Sequence, residues 1–186
     1  MIVVALDGPS GSGKSSTSKG IAIRAGWNYL DTGALYRAIT YIALSIKSEN
    51  YQDILHELVS RPISFSADPK NPKVFVGGTD ISVEIRSHEV TSHVSIISAI
   101  PEIRAELLKL QREIIESAQH GIVVEGRDIG TVVCPDAALK IFLTADIGAY
   151  DGSDIATFDD NSVESKKWVL RFQREIVLIQ PAQFHL

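Results

Sequence analysis

A glycine-rich stretch near the start of the chain constrains the fold more than any other feature of the sequence. Residues 8–15 read Gly-Pro-Ser-Gly-Ser-Gly-Lys-Ser, which matches the phosphate-binding pattern of a glycine, any four residues, a glycine, a lysine, and a serine or threonine. The apolar run at residues 2–6 precedes this stretch, and residues 14–25 can form a helix after it. A Gly/Ser-rich surface linker is the alternative, but a linker would not directly follow a strand of buried type. We therefore predict a loop that binds the phosphates of a nucleotide.

The residue types of this loop fit phosphate chemistry. Glycines adopt backbone angles that a side chain forbids, so the loop can wrap around a polyphosphate. Its N–H groups and the helix N-terminus then point at the phosphates. We expect Lys14 to reach the β- and γ-phosphates of ATP, and the Ser15 hydroxyl to be a ligand of Mg²⁺. The residues expected to bind the nucleotide are Gly8, Pro9, Ser10, Gly11, Ser12, Gly13, Lys14, Ser15 and Ser16.

Length, composition and charge exclude several classes of protein. The 186 residues favour one domain with an inserted piece, and the 45% of apolar residues suffices for a core. A formal net charge of −5 argues against nucleic-acid binding, which needs a basic face. The single cysteine excludes an intrachain disulfide and fits a reducing compartment. Because there is neither a charged leader nor an apolar run of the ~20 residues that span a bilayer, we expect a cytoplasmic protein without membrane contact. We also expect a monomer.

Apolar runs and helical patterns alternate along most of the chain. The runs at residues 2–6 and 122–124 are typical of buried parallel strands. Residues 63–85 instead alternate apolar and polar positions around turn-rich breaks, which predicts a small antiparallel β insert. The predicted fold class is α/β, with a P-loop NTPase-like parallel sheet flanked by helices. Further strands are predicted at 27–30 and 138–143, and further helices at 50–60, from Pro101 to a stop at Gly121, and at 165–179.

Three arginines lie at the starts of predicted segments, namely Arg37, Arg104 and Arg127. Phosphoryl transfer between nucleotides needs positive charge around both phosphate groups, and arginine binds phosphate through two parallel hydrogen bonds. Arg37 opposes the dipole of its helix, which suggests an anionic partner, although a solvated surface arginine is the alternative. Arg127 and Asp128 follow a buried strand, where they either reach a cleft or form a structural ion pair. A Ras-like GTPase is excluded because the chain has no Asn-Lys-x-Asp motif, and a large ATPase needs a longer chain.

Taken together, these motifs resemble those of bacterial cytidylate kinases. The matching stretches are 7–15, 31–37, 83–86, 101–104 and 125–137, within a resemblance that covers residues 2 to about 147. The resemblance implies phosphorylation of CMP or dCMP to CDP or dCDP, with ATP as co-substrate and Mg²⁺ as cofactor. Two alternatives stay open: a nucleotide-binding remnant that lacks part of the catalytic machinery, and a P-loop kinase of another small metabolite.

The resemblance also implies a domain division and a set of site residues. Residues 1–147 correspond to the kinase core, 63–99 to part of its CMP-binding insert, and 148–186 to a divergent tail. Lys14, Arg127 and Asp128 take catalytic roles, Asp128 contacts the sugar or base, and the arginines hold the α-phosphate. The implied CMP site consists of Thr32, Tyr36, Arg37, Ser95, Arg104, Arg127 and Asp128.

The tail departs from the family pattern. The family continues with an arginine-rich lid, whereas residues 148–161 contain neither arginine nor lysine. Codons can be chosen for residues 174–186 so that reading from the third base gives Arg-Asp-Arg-Ile-Asp-Ser-Thr-Arg-Pro-Val-Ser-Pro, which resembles the missing family segment. We therefore predict that the tail is an out-of-frame translation that lacks the lid. Without a lid, the chain is expected to bind nucleotides and to turn over slowly.

Overall fold

The computed structural model describes residues 1–144 and the backbone of residues 168–172 and 175–181. The chain divides into two compact units. The first comprises Met1–Trp27 and His120–Leu186, and the second comprises Asn28–Gln119. The predicted boundary at residue 147 lies outside the described residues, and the predicted insert at 63–99 falls within the second unit.

Five α-helices and nine β-strands make up the described part of the chain. The helices are α1 Lys14–Ala25, α2 Thr32–Ile46, α3 Tyr51–Ser60, α4 His88–Ser98 and α5 Pro101–Glu116. The strands are β1 Ile2–Asp7, β2 Asn28–Asp31, β3 Ile63–Ser66, β4 Lys73–Val76, β5 Thr79–Asp80, β6 Gly121–Gly126, β7 Leu139–Thr144, β8 Trp168–Phe172 and β9 Glu175–Pro181. Two short turns of other helix types lie at Glu84–Arg86, a 3₁₀ helix, and at Ile129–Val133, a π-helix.

The first unit is built on a sheet whose strands run in the order β6-β1-β7-β9-β8. Strand β1 is parallel to both β6 and β7, and its residues Val4, Ala5 and Leu6 are buried. The central strand is continuously apolar because both of its faces are covered, as the apolar run predicts. The predicted parallel sheet of an α/β fold is therefore confirmed.

The connections of the first unit carry the phosphate loop and a turn that the sequence did not predict. Helix α1 starts at Lys14 and stops at Gly26, whose φ of +68° gives the left-handed conformation common at helix C-termini. After β6 the chain forms the π-helical turn, in which the Cys134 N–H donates to the Ile129 carbonyl at 2.7 Å. Turns of this type occur often at functional sites.

The helix predicted over residues 165–179 is wrong for the part that the structure describes. Residues 168–172 and 175–181 are instead the antiparallel strands β8 and β9, and β9 pairs with the edge of β7 from Leu139 to Thr144. The stretch from Ile176 to Ile179 contains three β-branched residues, which favour strands and lose side-chain freedom in helices. The edge of β7 is therefore covered by β9.

The second unit surrounds the mostly buried helix α2. Three of its helices begin at side-chain caps, where Asp31, Asn50 and Ser87 accept N–H groups of α2, α3 and α4. Helix α5 begins with Pro101 at its first position, as predicted. It ends at Glu116 and not at Gly121, which is the first residue of β6.

The predicted antiparallel insert is present as the three-stranded sheet β3-β4-β5. The alternating residues after it do not extend β5. Ile81 and Ile85 are buried while Val83 between them is 80% exposed, because the Ile85 N–H donates to the Ile81 carbonyl in a helical turn. A spacing of four residues fits one face of a helix as well as one face of a strand, so the pattern was ambiguous.

The insert predicts a measurable acid titration. The Ser82 hydroxyl, the Lys73 ammonium and the Ser82 N–H all donate to the Asp80 carboxylate, and these bonds lower its pKa from 3.8 to about 2. The lowered pKa stabilises the fold above pH 3.8, and this contribution is lost as the pH falls toward 2. We expect a carboxyl ¹³C NMR titration to place Asp80 near 2 and Ser82→Ala to raise that pKa. An ordinary pKa in the unsubstituted chain would contradict these contacts.

Candidate active site

The first glycine of the phosphate loop is required by a close backbone approach. Gly8 has a φ of +152°, and a Cβ placed there would lie 2.0 Å from the carbonyl oxygen of Leu143 on β7. Because the Leu143 oxygen belongs to the backbone and a Cβ has no rotatable position, no side-chain movement can relieve that clash. The loop therefore starts directly against strand β7, and this position requires a residue without a side chain.

Lysine and serine side chains complete the loop. The Lys14 ammonium donates to the Pro9 carbonyl, so this cation lies folded over the loop that precedes it. Ser12 is 1% exposed, and its hydroxyl has no hydrogen-bond partner. Residues 9–11 and 15–16 are exposed. The loop thus presents a cation and the exposed serines Ser10, Ser15 and Ser16, which are groups that can bind a polyphosphate.

The Arg127–Asp128 corner lies in the same unit as the loop. It follows β6 and precedes the π-helical turn, so it stands at the carboxyl end of a strand that pairs with β1. Arg127 is exposed and Asp128 is half-buried. The carboxyl ends of neighbouring parallel strands meet at one edge of a sheet, where α/β proteins bind their ligands.

The second unit contains an independent cluster at the start of α2. Asp31 caps the helix with one carboxylate oxygen, which accepts the Ala34 N–H at 3.0 Å. Its other oxygen accepts a hydrogen bond from the Arg37 guanidinium at 2.9 Å. Gly33 leaves room for this contact, since a Cβ there would lie 3.1 Å from Asp31 Oδ1 and 3.2 Å from Arg37 Nη1.

Arg37 is therefore not the solvated surface arginine of the alternative interpretation. Its side chain is only 21% exposed and is paired with Asp31, which offsets the unfavourable helix dipole. The Nε atom of the same guanidinium is buried and has no hydrogen-bond partner. A buried donor without an acceptor costs free energy, on the order of 1–3 kcal/mol, until a ligand satisfies it.

Four more of the predicted site residues lie in the second unit. The Arg104 guanidinium of α5 stacks over the Tyr36 ring, 5.7 Å from its centroid, in a cation–π contact. The same side chain donates to the Ser98 carbonyl at 3.4 Å. Thr32 is the buried first residue of α2. Ser95 is exposed on α4, a helix that packs against α2.

The predicted site residues thus fall into two groups. The loop, Arg127 and Asp128 belong to the first unit, and Thr32, Tyr36, Arg37, Ser95 and Arg104 belong to the second. Their roles in binding stay predictions. Sequence reasoning gave no binding role to Asp7, Asp31 or Gly33. The opposite charges of Asp31 and Arg37, six residues apart at the start of one helix, were the sequence signal that could have predicted their ion pair.

Comparison with known proteins identifies a family for this arrangement. Residues 4–150 match the sequence model of the cytidylate kinase family. The cytidylate kinase of Streptomyces avermitilis is 53% identical over 150 residues, which cover 77% of this chain and 63% of that protein. The cytidylate kinase of Streptococcus thermophilus is 50% identical over 149 residues, covering 78% and 65%. That of Streptococcus pneumoniae is 52% identical over 149 residues, covering 78% and 66%.

The chain spans less than two thirds of the length of these relatives. The family match stops at residue 150, close to residue 147, where the resemblance was predicted to end. The sequence after this point is therefore divergent, as expected. The out-of-frame origin of the tail stays a prediction, and residues 148–161 lie outside the described part.

Gly8→Ala is expected to disrupt the loop. Overpacking against a backbone oxygen should lower the free energy of unfolding by about 1–3 kcal/mol or more and weaken ATP binding about 10-fold or more because the loop must move. Gly11→Ala is the matched control, since its φ is +80° but nothing lies within 4 Å of a Cβ there. Thermal unfolding and ATP titration measure both effects. Equal losses in the two variants would contradict the steric role of Gly8.

Asp31→Asn is expected to separate helix capping from the ion pair. Asparagine caps a helix as well as aspartate does, so α2 should keep its stability while Arg37 loses its anionic partner. We expect weaker binding of CMP with little change in melting temperature. Asp31→Ala removes the cap as well and should lower the free energy of unfolding by a further ~1 kcal/mol. CMP titration and thermal unfolding of both variants test this, and unchanged CMP affinity in Asp31→Asn would contradict it.

Proposed function

The chain belongs to the cytidylate kinase family, and on that basis we propose that it transfers the terminal phosphoryl group of ATP to CMP or dCMP. The products are ADP and CDP or dCDP. The observation that carries the proposal is that each unit holds its own set of phosphate-binding groups. The first unit has the loop with Lys14, and the second has the arginine cluster around Arg37. A reaction between two phosphorylated substrates requires two such sets.

The donor nucleotide ATP binds the phosphate loop. Backbone N–H groups of residues 8–16 and the N-terminus of α1 hold the phosphates. On binding, the Lys14 ammonium exchanges its contact with the Pro9 carbonyl for the β- and γ-phosphates. That exchange is favourable because the phosphates carry full negative charge and the carbonyl does not.

The Ser15 hydroxyl is the protein ligand proposed for Mg²⁺. Ser15 is exposed at the start of α1, beside Lys14. In the described residues no group of three His, Cys, Asp or Glu side chains is arranged to hold a metal. This fits Mg²⁺, which is commonly bound through substrate phosphates, waters and one or two protein oxygens. When bound, the ion would neutralise charge that develops on the transferring phosphoryl group.

The acceptor nucleotide is held by the arginines. The buried Nε of Arg37 lacks an acceptor, and a phosphate oxygen of CMP supplies one. In the second unit, Arg104 adds positive charge for the α-phosphate, and Tyr36, Thr32 and Ser95 complete the acceptor groups of that unit. In the first unit, Arg127 is the proposed phosphate ligand. Asp128 accepts hydrogen bonds from the sugar or the base, since a carboxylate can pair with hydroxyl or amino hydrogens.

The reaction follows an in-line displacement without a covalent enzyme intermediate. An oxygen of the CMP α-phosphate attacks the γ-phosphorus of ATP, and the bond from that phosphorus to the β,γ-bridging oxygen breaks. Both electrons of the broken bond leave with ADP. Positioning and positive charge supply the catalysis, because the transition state spreads its charge over the phosphoryl oxygens.

A second candidate is a nucleotide-binding chain with little turnover. It is favoured by the tail, because the family match ends at residue 150 and residues 148–161 contain no arginine or lysine. A lid that excludes water and contributes charge would then be missing, and loss of one such charge lowers the rate ~10³-fold or more.

ADP release from the full chain with CMP, dCMP, UMP or AMP as acceptor distinguishes these candidates. We expect CMP and dCMP to stimulate release above the rate with ATP alone. ATP binding without stimulation by any acceptor would support the impaired chain. Stimulation by UMP or AMP alone would contradict the proposed substrate class, and stimulation by none of the four with no ATP binding would contradict the kinase assignment.

Lys14→Met is expected to lower the rate of transfer with a smaller effect on binding. The variant removes a positive charge from the developing transition state, and such losses lower kcat by about 10²–10³-fold. Lys19→Met is the matched control, since it makes the same change on α1 outside the loop. Steady-state kinetics with CMP measure both. Equal rates for Lys14→Met and the unsubstituted chain would contradict the role of Lys14.

A further inference from the structure

We propose that Asp7 is a positioning residue that fixes the Arg127–Asp128 corner for the acceptor nucleotide, an inference that rests on the proposed function. Asp7 is the last residue of β1 and directly precedes Gly8 of the phosphate loop. Its carboxylate accepts the Ile129 N–H through Oδ1 and the Gly130 N–H through Oδ2, each at 2.8 Å. Both oxygens are thus used to hold a turn 122 residues away in the sequence.

Asp7 is attached to the chain on both sides of the Arg127–Asp128 corner. On the near side, its backbone pairs with Gly126 in the parallel register of β1 and β6. On the far side, its side chain holds the amides of Ile129 and Gly130. Only Arg127 and Asp128 lie between these two attachments. Their backbone is therefore tethered at each end to a single residue.

The anchor itself is rigid. Strand β1 lies between β6 and β7 and is parallel to both. The three residues before Asp7 are buried, with Ala5 and Leu6 fully inaccessible. A carboxylate on such a strand cannot follow the turn if the turn moves. The hydrogen bonds of Asp7 therefore limit the movement of the Arg127–Asp128 corner and not that of the sheet.

The turn passes this restraint on to Asp128. The Asp128 carbonyl accepts the N–H groups of Val132 at 2.9 Å and Val133 at 3.3 Å. Asp7 fixes the first two amides of the same turn, those of Ile129 and Gly130. The Asp128 backbone is therefore held both by the start of the turn and by its later residues Val132 and Val133. Asp7 also occupies the Ile129 and Gly130 N–H groups at the start of the turn, so these two donors are already paired.

A carboxylate is needed because it has two acceptor oxygens. Asparagine has one acceptor oxygen and an NH₂ group, and the NH₂ group would face the second N–H as another donor. Asp7→Asn therefore breaks one bond and leaves a donor facing a donor, while size and shape are kept. Asp7→Glu keeps both oxygens and serves as the conservative variant.

The test measures equilibrium binding of CMP and of ATP to the full chain, together with amide hydrogen exchange at Ile129 and Gly130. For Asp7→Asn we expect faster exchange at the amide that loses its acceptor and a CMP Kd raised about 10-fold or more, with an ATP Kd changed less than about 3-fold. Asp7→Glu should recover part of the CMP affinity. Asp53→Asn, an exposed aspartate on α3, controls for the loss of one charge and should change neither Kd.

The outcomes separate this inference from the proposed function. An unsubstituted chain that binds ATP but not CMP would overturn the proposed function, and this inference with it. If that chain binds CMP and Asp7→Asn leaves the CMP Kd unchanged, only the role of Asp7 is overturned. Equal losses of CMP and ATP affinity would assign Asp7 to the loop instead and would also overturn it. If Asp7→Asn does not fold, Asp7→Glu decides, because a folded variant with normal CMP affinity and faster exchange at both amides contradicts the inference.

Discussion

The hydrogen bonds of the Asp7 carboxylate are the interaction on which the site of the first unit depends. One residue ends the central strand, begins the phosphate loop and holds the turn behind the Arg127–Asp128 corner. Positioning is the main contribution that a protein makes to phosphoryl transfer, because the reaction needs little covalent chemistry from the enzyme. We therefore propose that a single anchor for the loop and the corner contributes to the proposed phosphoryl transfer through positioning.

In the second unit, an aspartate orders the arginine side chain of Arg37 through an ion pair. Arg37 lies where the helix dipole disfavours a cation, yet Asp31 pairs with it and also caps the same helix. The pairing orders the guanidinium before any ligand arrives, which lowers the entropic cost of binding an anion. In both units an aspartate accepts backbone N–H groups at the start of a helical segment, one at Asp31 and two at Asp7, beside residues that we propose as phosphate ligands.

Local features of the fold could be predicted from the sequence, whereas contacts between distant segments could not. The strand, loop and first helix were predicted because a glycine pattern, an apolar run and a helix stop lie within 26 residues of each other. The π-helical turn was missed because its anchor, Asp7, lies more than 120 residues away. The tail helix was wrong because Trp168, Phe172 and Ile176 share a spacing of four that suits a helix face and also, as multiples of two, a strand face.

The candidate site shows the same division. The loop residues could be named from their pattern alone, and the arginines from the chemistry of phosphate. The partner of Arg37 was close in sequence, so a charge pairing with Asp31 could have been inferred. By contrast, the reason for glycine at position 8 depends on the carbonyl of Leu143, which only the folded sheet brings within reach.

The central claim is that this chain moves a phosphoryl group from ATP to CMP. The most direct measurement is ³¹P NMR of the full chain with ATP, Mg²⁺ and CMP. We predict that the β-phosphorus signals of CDP and ADP appear together in equal amounts. Conversion of ATP only to ADP and inorganic phosphate, or no CDP signal while CMP and ATP are both bound, would contradict this transfer.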